Sequence, residues 1–171
     1  MLTENQLVNQ LELFLRNQLQ FQTYSELQIG SNDHFQISEF LEGGQKQIRI
    51  DLAGICQLDS SIHFFEAETQ IHINHPSIYS QFCDYCYLLC PDEQFELLNN
   101  DTLEEQLLWA REIGIGIISI SNEGKIRNRV PSIQQNLNSE VRKEILNSMN
   151  QRYKIPFSTT PLWNRPRQLI S

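Results

Sequence analysis

The segment Ser61-Ile62-His63-Phe64-Phe65-Glu66-Ala67-Glu68-Thr69 constrains the fold more than any other part of the chain. It is apolar at successive positions, and successive side chains of a strand point to opposite faces. Both faces must therefore be covered, which predicts a central strand in a sheet with helices on each side. The run ends in two glutamates. Glu66 and Glu68 are two residues apart, so they share a face. The preceding strand-like segment, residues 47–54, alternates and is expected to set Ile48, Ile50 and Leu52 on one face; it also carries Asp51. If the two segments form a hairpin closed by Cys56 and Ser61, Asp51 falls opposite Glu66. Directly opposed side chains have Cβ atoms about 4.5–5.5 Å apart, where like charges repel. Three carboxylates crowded beside Phe64 and Phe65 require protons, strong solvation or a cation. A hard divalent ion that prefers oxygen ligands answers that requirement.

The rest of the chain supplies the covering layers. Residues 3–19 predict a helix with Leu7, Leu11, Phe14, Leu15 and Leu19 at helical spacing, a Thr3/Gln6 capping box, and Glu4 in the first turn, where a carboxylate suits the helix dipole. Residues 23–29 and 34–40 each read as strand, divided by Gly30-Ser31-Asn32-Asp33. Pro76 opens a short helix to about Asp84, residues 86–90 form a core strand, and 92–101 read as polar loop. Thr102 caps a helix ending at Ile113, with Gly114 at its C-terminal stop. Residues 115–121 and 125–130 form a strand pair about Asn122-Glu123-Gly124, and a last helix spans 138–153 with Val141, Ile145 and Met149 inward. Strands interleaved with helices predict an α/β domain built on a mixed sheet. One domain is expected over 1–154, with a proline-containing tail over 155–171.

Composition narrows the functional classes. The chain of 171 residues has no apolar run approaching a membrane span and no signal-like start, so a cytoplasmic protein without membrane contact is expected. Its four cysteines are then reduced thiols. His72, His75, Cys83 and Cys86 have zinc-like spacing, set against a plainer reading of the cysteines as small buried hydrophobes. The net charge of −8 is uneven: residues 1–124 carry 4 basic and 19 acidic side chains, residues 125–171 carry 9 basic and 2 acidic. Lys125, Arg127 and Arg129 recur at spacing two on one expected strand. With Arg142 and Arg152 they are candidate contacts to a phosphate backbone, the alternative being a solvated face.

Asp51, the short connection and Phe65-Glu66-Ala67-Glu68-Thr69 resemble the PD-(D/E)XK nuclease superfamily, in which an acid on one strand precedes acid-x-Lys on the next. The capped first helix with Glu4 is similar to the family's first helix. Residues 79–91, Tyr79-x-x-Phe82-Cys83-Asp84-Tyr85 and onward, are similar to the helix-then-strand segment of its DNA-repair and Holliday-resolvase-like branches. Residues 114–124 resemble the strand and turn that follow. The resemblance implies a restriction-endonuclease-like fold and Mg²⁺- or Mn²⁺-dependent hydrolysis of DNA. Asp51, Glu66, the main-chain carbonyl of Ala67 and Glu68 would be ligands, and Glu4 a further acid. Because cutting both strands usually takes two active sites, a homodimer is a further expectation. This chain departs from the pattern at Glu68, where the family has Lys. A nuclease-fold module without activity, binding nucleic acid or a protein, is therefore the alternative.

Overall fold

In the computed structural model, which describes residues 1–30 and 47–153, six strands form one mixed sheet in sequence order. Helix α1 (Glu4–Gln18) leads into β1 (Phe21–Gly30), β2 (Gln47–Cys56) and β3 (Ile62–Ala67). Each of these strands is antiparallel to the next. Helix α2 (Asn74–Tyr79) and a 3₁₀ turn (Ser80–Phe82) cross over to β4 (Tyr85–Pro91), which lies parallel to β3. Helices α3 (Gln94–Leu97) and α4 (Asn100–Ile113) lead to β5 (Gly116–Ile120), parallel to β4. Strand β6 (Ile126–Val130) closes the sheet antiparallel, and α5 (Ser139–Tyr153) follows. This is the expected α/β architecture, a central mixed sheet flanked by helices. No helix among the described residues is long and apolar enough to cross a membrane. The expected strand over 34–40 and the tail over 155–171 lie outside the described residues.

The core divides across the sheet. On one face α1 lays down Leu7, Leu11 and Leu15 against Phe65, Leu89 and Ile118. On the other, Ala110 of α4 and Val141, Ile145 and Met149 of α5 pack with Phe64, Leu88 and Ile117. Strands β3 and β4 are buried along their whole length, as a central position demands. The start of α1 carries the reciprocal cap: the Gln6 N–H donates to Thr3 Oγ1 and the Thr3 N–H donates to Gln6 Oε1 at 2.9 Å. The Gly114 backbone is left-handed (φ 77°) and ends α4.

Three expectations are corrected. The cap of α4 is Asn99, whose side chain accepts from the Thr102 N–H at 2.8 Å, so the helix begins one turn earlier than Thr102. The polar segment 92–101 contains the single turn α3, held by Phe95 packing on the core rather than by a side-chain cap. Most consequentially, Ile48, Ile50 and Leu52 do not share a face. Ile48 and Ile50 join the α4/α5 side and Leu52 the α1 side. The neighbouring strand changes sides at the same level: Phe21 faces α1, while Leu27 and Ile29 face away from it. Between the pairs Ser25↔Leu52 and Leu27↔Ile50 stands Glu26, left-handed at φ 50°. One left-handed residue interrupts the alternation of a pleat.

Arg142 of α5 fastens the opposite end of the sheet. Its guanidinium pairs with Asp84, whose other carboxylate oxygen accepts from the Ile62 N–H at 2.8 Å, and donates to the Ser60 carbonyl. Arg142, a candidate phosphate contact in the sequence, is held in a nearly buried ion pair at the end of the sheet away from the acids. Burial raises the Asp84 carboxyl above its ordinary range, outweighing the Ile62 N–H and Arg142. Removing one partner of such a pair strands the other charge. Arg142→Met should destabilise the protein by roughly 3 kcal/mol in urea unfolding. The double variant Arg142→Met/Asp84→Asn should recover part of that loss.

Candidate active site

The edge of the sheet where β2 begins and β3 ends holds the acids. The hairpin register pairs Leu52 with Phe65 and Ile55 with Ile62, and its continuation sets Asp51 opposite Glu66. Regular pairing stops at Leu52, and the two acids replace it with side-chain bonds. The Asp51 N–H donates to Glu66 Oε1 at 3.2 Å, and the Ala67 N–H donates to Asp51 Oδ2 at 2.9 Å. Each carboxylate thus takes the place of a strand partner for the other strand's main chain. Glu68, whose N–H donates to the Leu89 carbonyl, is half-buried one pleat further on.

Glu66 is 5% exposed. Burial first, and then the Asp51 charge, push its carboxyl from an ordinary 4.5 to about 9. Asp51 is also raised, by burial above all, although the Ala67 N–H pulls the other way. Glu68 adds repulsion to both, and Arg49 offsets part of it. Without a cation, Glu66 is protonated at neutral pH.

These residues line a cleft of about 490 Å³ together with Glu4, Gln28, Arg49, His75 and Tyr79. Helix α1 brings Glu4 from one side of the sheet; α2 brings His75 and Tyr79 to the same cleft. The four acids nominated from the sequence are therefore gathered at one place. Arg49, His75 and Tyr79 were not nominated for it. Arg49 could have been found from its spacing of two from Asp51 on one strand; His75 and Tyr79 depend on the path of α2. His75 Nδ1 lies 3.0 Å from Glu68 Oε1.

The zinc-like set does not assemble. Cys83 and Cys86 are fully buried, with thiols directed to the main-chain carbonyls of Tyr79 and Pro76, and burial raises the Cys83 thiol. His72 is exposed beside Gln70, and His75 belongs to Glu68. Among the described residues no three His, Cys, Asp or Glu side chains form a ready metal cage.

Of the basic candidates, Arg127 and Arg129 share a face as their spacing implies, and both pair with Asp92. Arg129 also donates to Ser119 Oγ at 2.9 Å and lies over the Phe95 ring, 4.4 Å from its centroid. Asp92 follows β4, so this cluster occupies the same end of the sheet as Glu66 and Glu68. Lys125 precedes β6 and is exposed. The Arg152 side chain lies outside the described residues.

No family model matches the chain, and no curated protein matches it. A solved structure is similar: the SPO1766 protein of unknown function from Silicibacter pomeroyi, with TM-score 0.57, 14% identity, and coverage of 90% of this chain and 88% of that one. At that identity the likeness establishes a shared fold and leaves chemistry to be argued from the site.

Glu66 gives a pH signature. The unfolded chain releases this proton near 4.5 and the folded protein near 9. Between those values the folded state binds more protons, so stability is fully present below the lower value and declines through the window as pH rises. Glu66→Gln should abolish this decline in metal-free protein. It should raise stability by on the order of a few kcal/mol at about pH 8, measured by denaturant titration across pH. A parallel pH profile in the variant would contradict the buried neutral carboxyl.

Proposed function

We propose that the protein is a divalent-metal-dependent nuclease of the PD-(D/E)XK type that hydrolyses phosphodiester bonds in DNA. The observation that carries this reading is the interlocked pair Asp51 and Glu66 in a cleft at the end of a buried hairpin, with Glu68 one pleat away. The succession α1, β1–β3, α2, β4 agrees with the element order of the resemblance, and Glu4 reaches the cleft from α1 as that resemblance implies.

The donor set suits a hard ion. Two carboxylates and the Ala67 main-chain carbonyl, with Glu68 beside them, are oxygen ligands of the kind Mg²⁺ or Mn²⁺ takes. Mg²⁺ commonly uses only one or two protein carboxylates and fills its remaining positions with water and substrate oxygens. Two adjacent acids, one kept protonated by burial and by the charge of the other, also gain from a cation, which would displace the Glu66 proton. When bound, the ion polarises the phosphate and lowers the pKa of a water molecule. Glu68 accepts the proton of the attacking water, and His75 fixes the Glu68 carboxylate through Oε1. Glu4 adds negative potential at the cleft mouth and favours cation entry. The Arg127–Asp92–Arg129 cluster at the same sheet end offers positive charge to the DNA backbone beyond the cleft.

Supercoiled, branched and single-stranded DNA incubated with Mg²⁺ or Mn²⁺ test the reading. Cleavage is expected, and Asp51→Asn should lower its rate by more than about 100-fold, since outer-shell partners of a metal alone are worth roughly 10–100-fold. A module that kept the fold without the chemistry would cut none of these substrates and would show no Mn²⁺ binding by calorimetry.

A further inference from the structure

A second cavity, of about 290 Å³, adjoins the first on the α1 side. Glu4, Arg49 and Asp51 line both, so these three residues form the wall between them. The smaller cavity is completed by Asn5, Val8 and Asn9 of α1 and by Ser25 and Glu26 of β1. Its chemistry differs from that of the larger one. Asn5 and Asn9 are four apart on a helix, so their amides stack on one face. Their paired donors and acceptors, the Ser25 hydroxyl and the Glu26 carboxylate suit the amino groups, ring nitrogens and hydroxyls of a nucleoside. Its three carboxylate residues, Glu4, Glu26 and Asp51, disfavour a phosphate inside this cavity.

Arg49 supplies what the cavity interior lacks. Among the described residues the arginines in ion pairs are Arg16, Arg127, Arg129 and Arg142; Arg49 is in none. Its guanidinium is a planar fork matched to phosphate oxygens. It is also the Arg or Lys that lines the cleft among the described residues, in a protein whose Glu68 stands where the resemblance has Lys. Glu26 lines the smaller cavity from its left-handed position in β1.

We infer that the smaller cavity is a subsite for the nucleoside next to the scissile phosphate, with Arg49 anchoring that phosphate at the wall between the two cavities. The inference rests on the nuclease reading for the identity of its ligand. A cavity of this size takes one nucleoside, which a duplex presents only when the nucleotide is unpaired. The substrate class is therefore a strand with an unpaired nucleotide beside the cut: a single strand, a flap or a branch.

The test uses the full chain with Ca²⁺ and two probes, a dinucleotide with one internal phosphodiester and inorganic phosphate, followed by calorimetry. The dinucleotide should bind more tightly than phosphate. Arg49→Gln should weaken both by about 10-fold or more, the worth of a charge-assisted hydrogen bond. The double variant Asn5→Ala/Asn9→Ala, on an exposed helix face that alanine suits, should weaken the dinucleotide by about 10-fold and leave phosphate unchanged. A dinucleotide no tighter than phosphate, or unaffected by the asparagine variant, overturns the subsite. Cleavage of flapped against fully paired DNA separates the two readings. Cutting of both without preference, in parent and variants alike, leaves the nuclease and removes the subsite; dinucleotide binding with no cutting leaves the subsite and removes the nuclease.

Discussion

The structure turns on the exchange of main-chain bonds between Asp51 and Glu66. A buried hairpin must satisfy its N–H groups, because an unpaired one costs on the order of 1–3 kcal/mol. Where the β2–β3 ladder stops, two carboxylates do this, each taking an N–H from the opposite strand. The arrangement sets two acids against each other in apolar surroundings. Its cost appears in the Glu66 carboxyl, which holds a proton up to about 9. Sites whose polar groups are fixed by the backbone and whose charges are strained by burial are those best prepared for a cation or a polar substrate.

Beside that exchange, the neighbouring strand changes faces. The left-handed Glu26 and the shift of faces in β1 and β2 let Ile50 and Leu52 enter different cores. An uninterrupted pleat would place Ile50 on the same face as Leu52. A non-glycine residue in this conformation costs roughly 1–3 kcal/mol and persists only where its surroundings hold it. Here β1 is held by α1 beneath and by β2 alongside, with Thr23 bonded to Glu12 and Arg16 of the helix.

The two ends of the sheet are organised differently. At one end Asp84 and Arg142 form a nearly buried ion pair that joins α5 to the starts of β3 and β4. At the other, carboxylates crowd together with few counter-charges, and the Arg127–Asp92–Arg129 cluster spans from the end of β4 to β6. The first neutralises its charges within the fold; at the second, burial keeps a proton on Glu66. Charge sign and spacing alone do not separate Arg142 from Arg127, since both are basic residues in the basic part of the chain. Their places in the fold do: Asp84, the partner of Arg142, precedes β4, and Asp92, the partner of Arg127, follows it.

What the sequence determined by itself was the central strand, its hairpin partner and the meeting of Asp51 with Glu66. Period-two burial and the short Cys56–Ser61 connection leave one register that keeps Phe64 and Phe65 covered. The capping box of α1, the Gly114 stop and the inward face of α5 were equally legible, because each is a local rule acting over a few residues. Tertiary structure decided the rest. The faces of Ile50 and Leu52 followed from a left-handed residue whose conformation no pattern in the sequence signals. His75 went to Glu68 and the cysteines to the core because α2 crosses the end of β3, so spacing that suits a metal was divided between cleft and interior. Arg49 entered the wall between two cavities because β2 runs between α1 and the cleft, a placement that exists only once both layers have closed on the sheet.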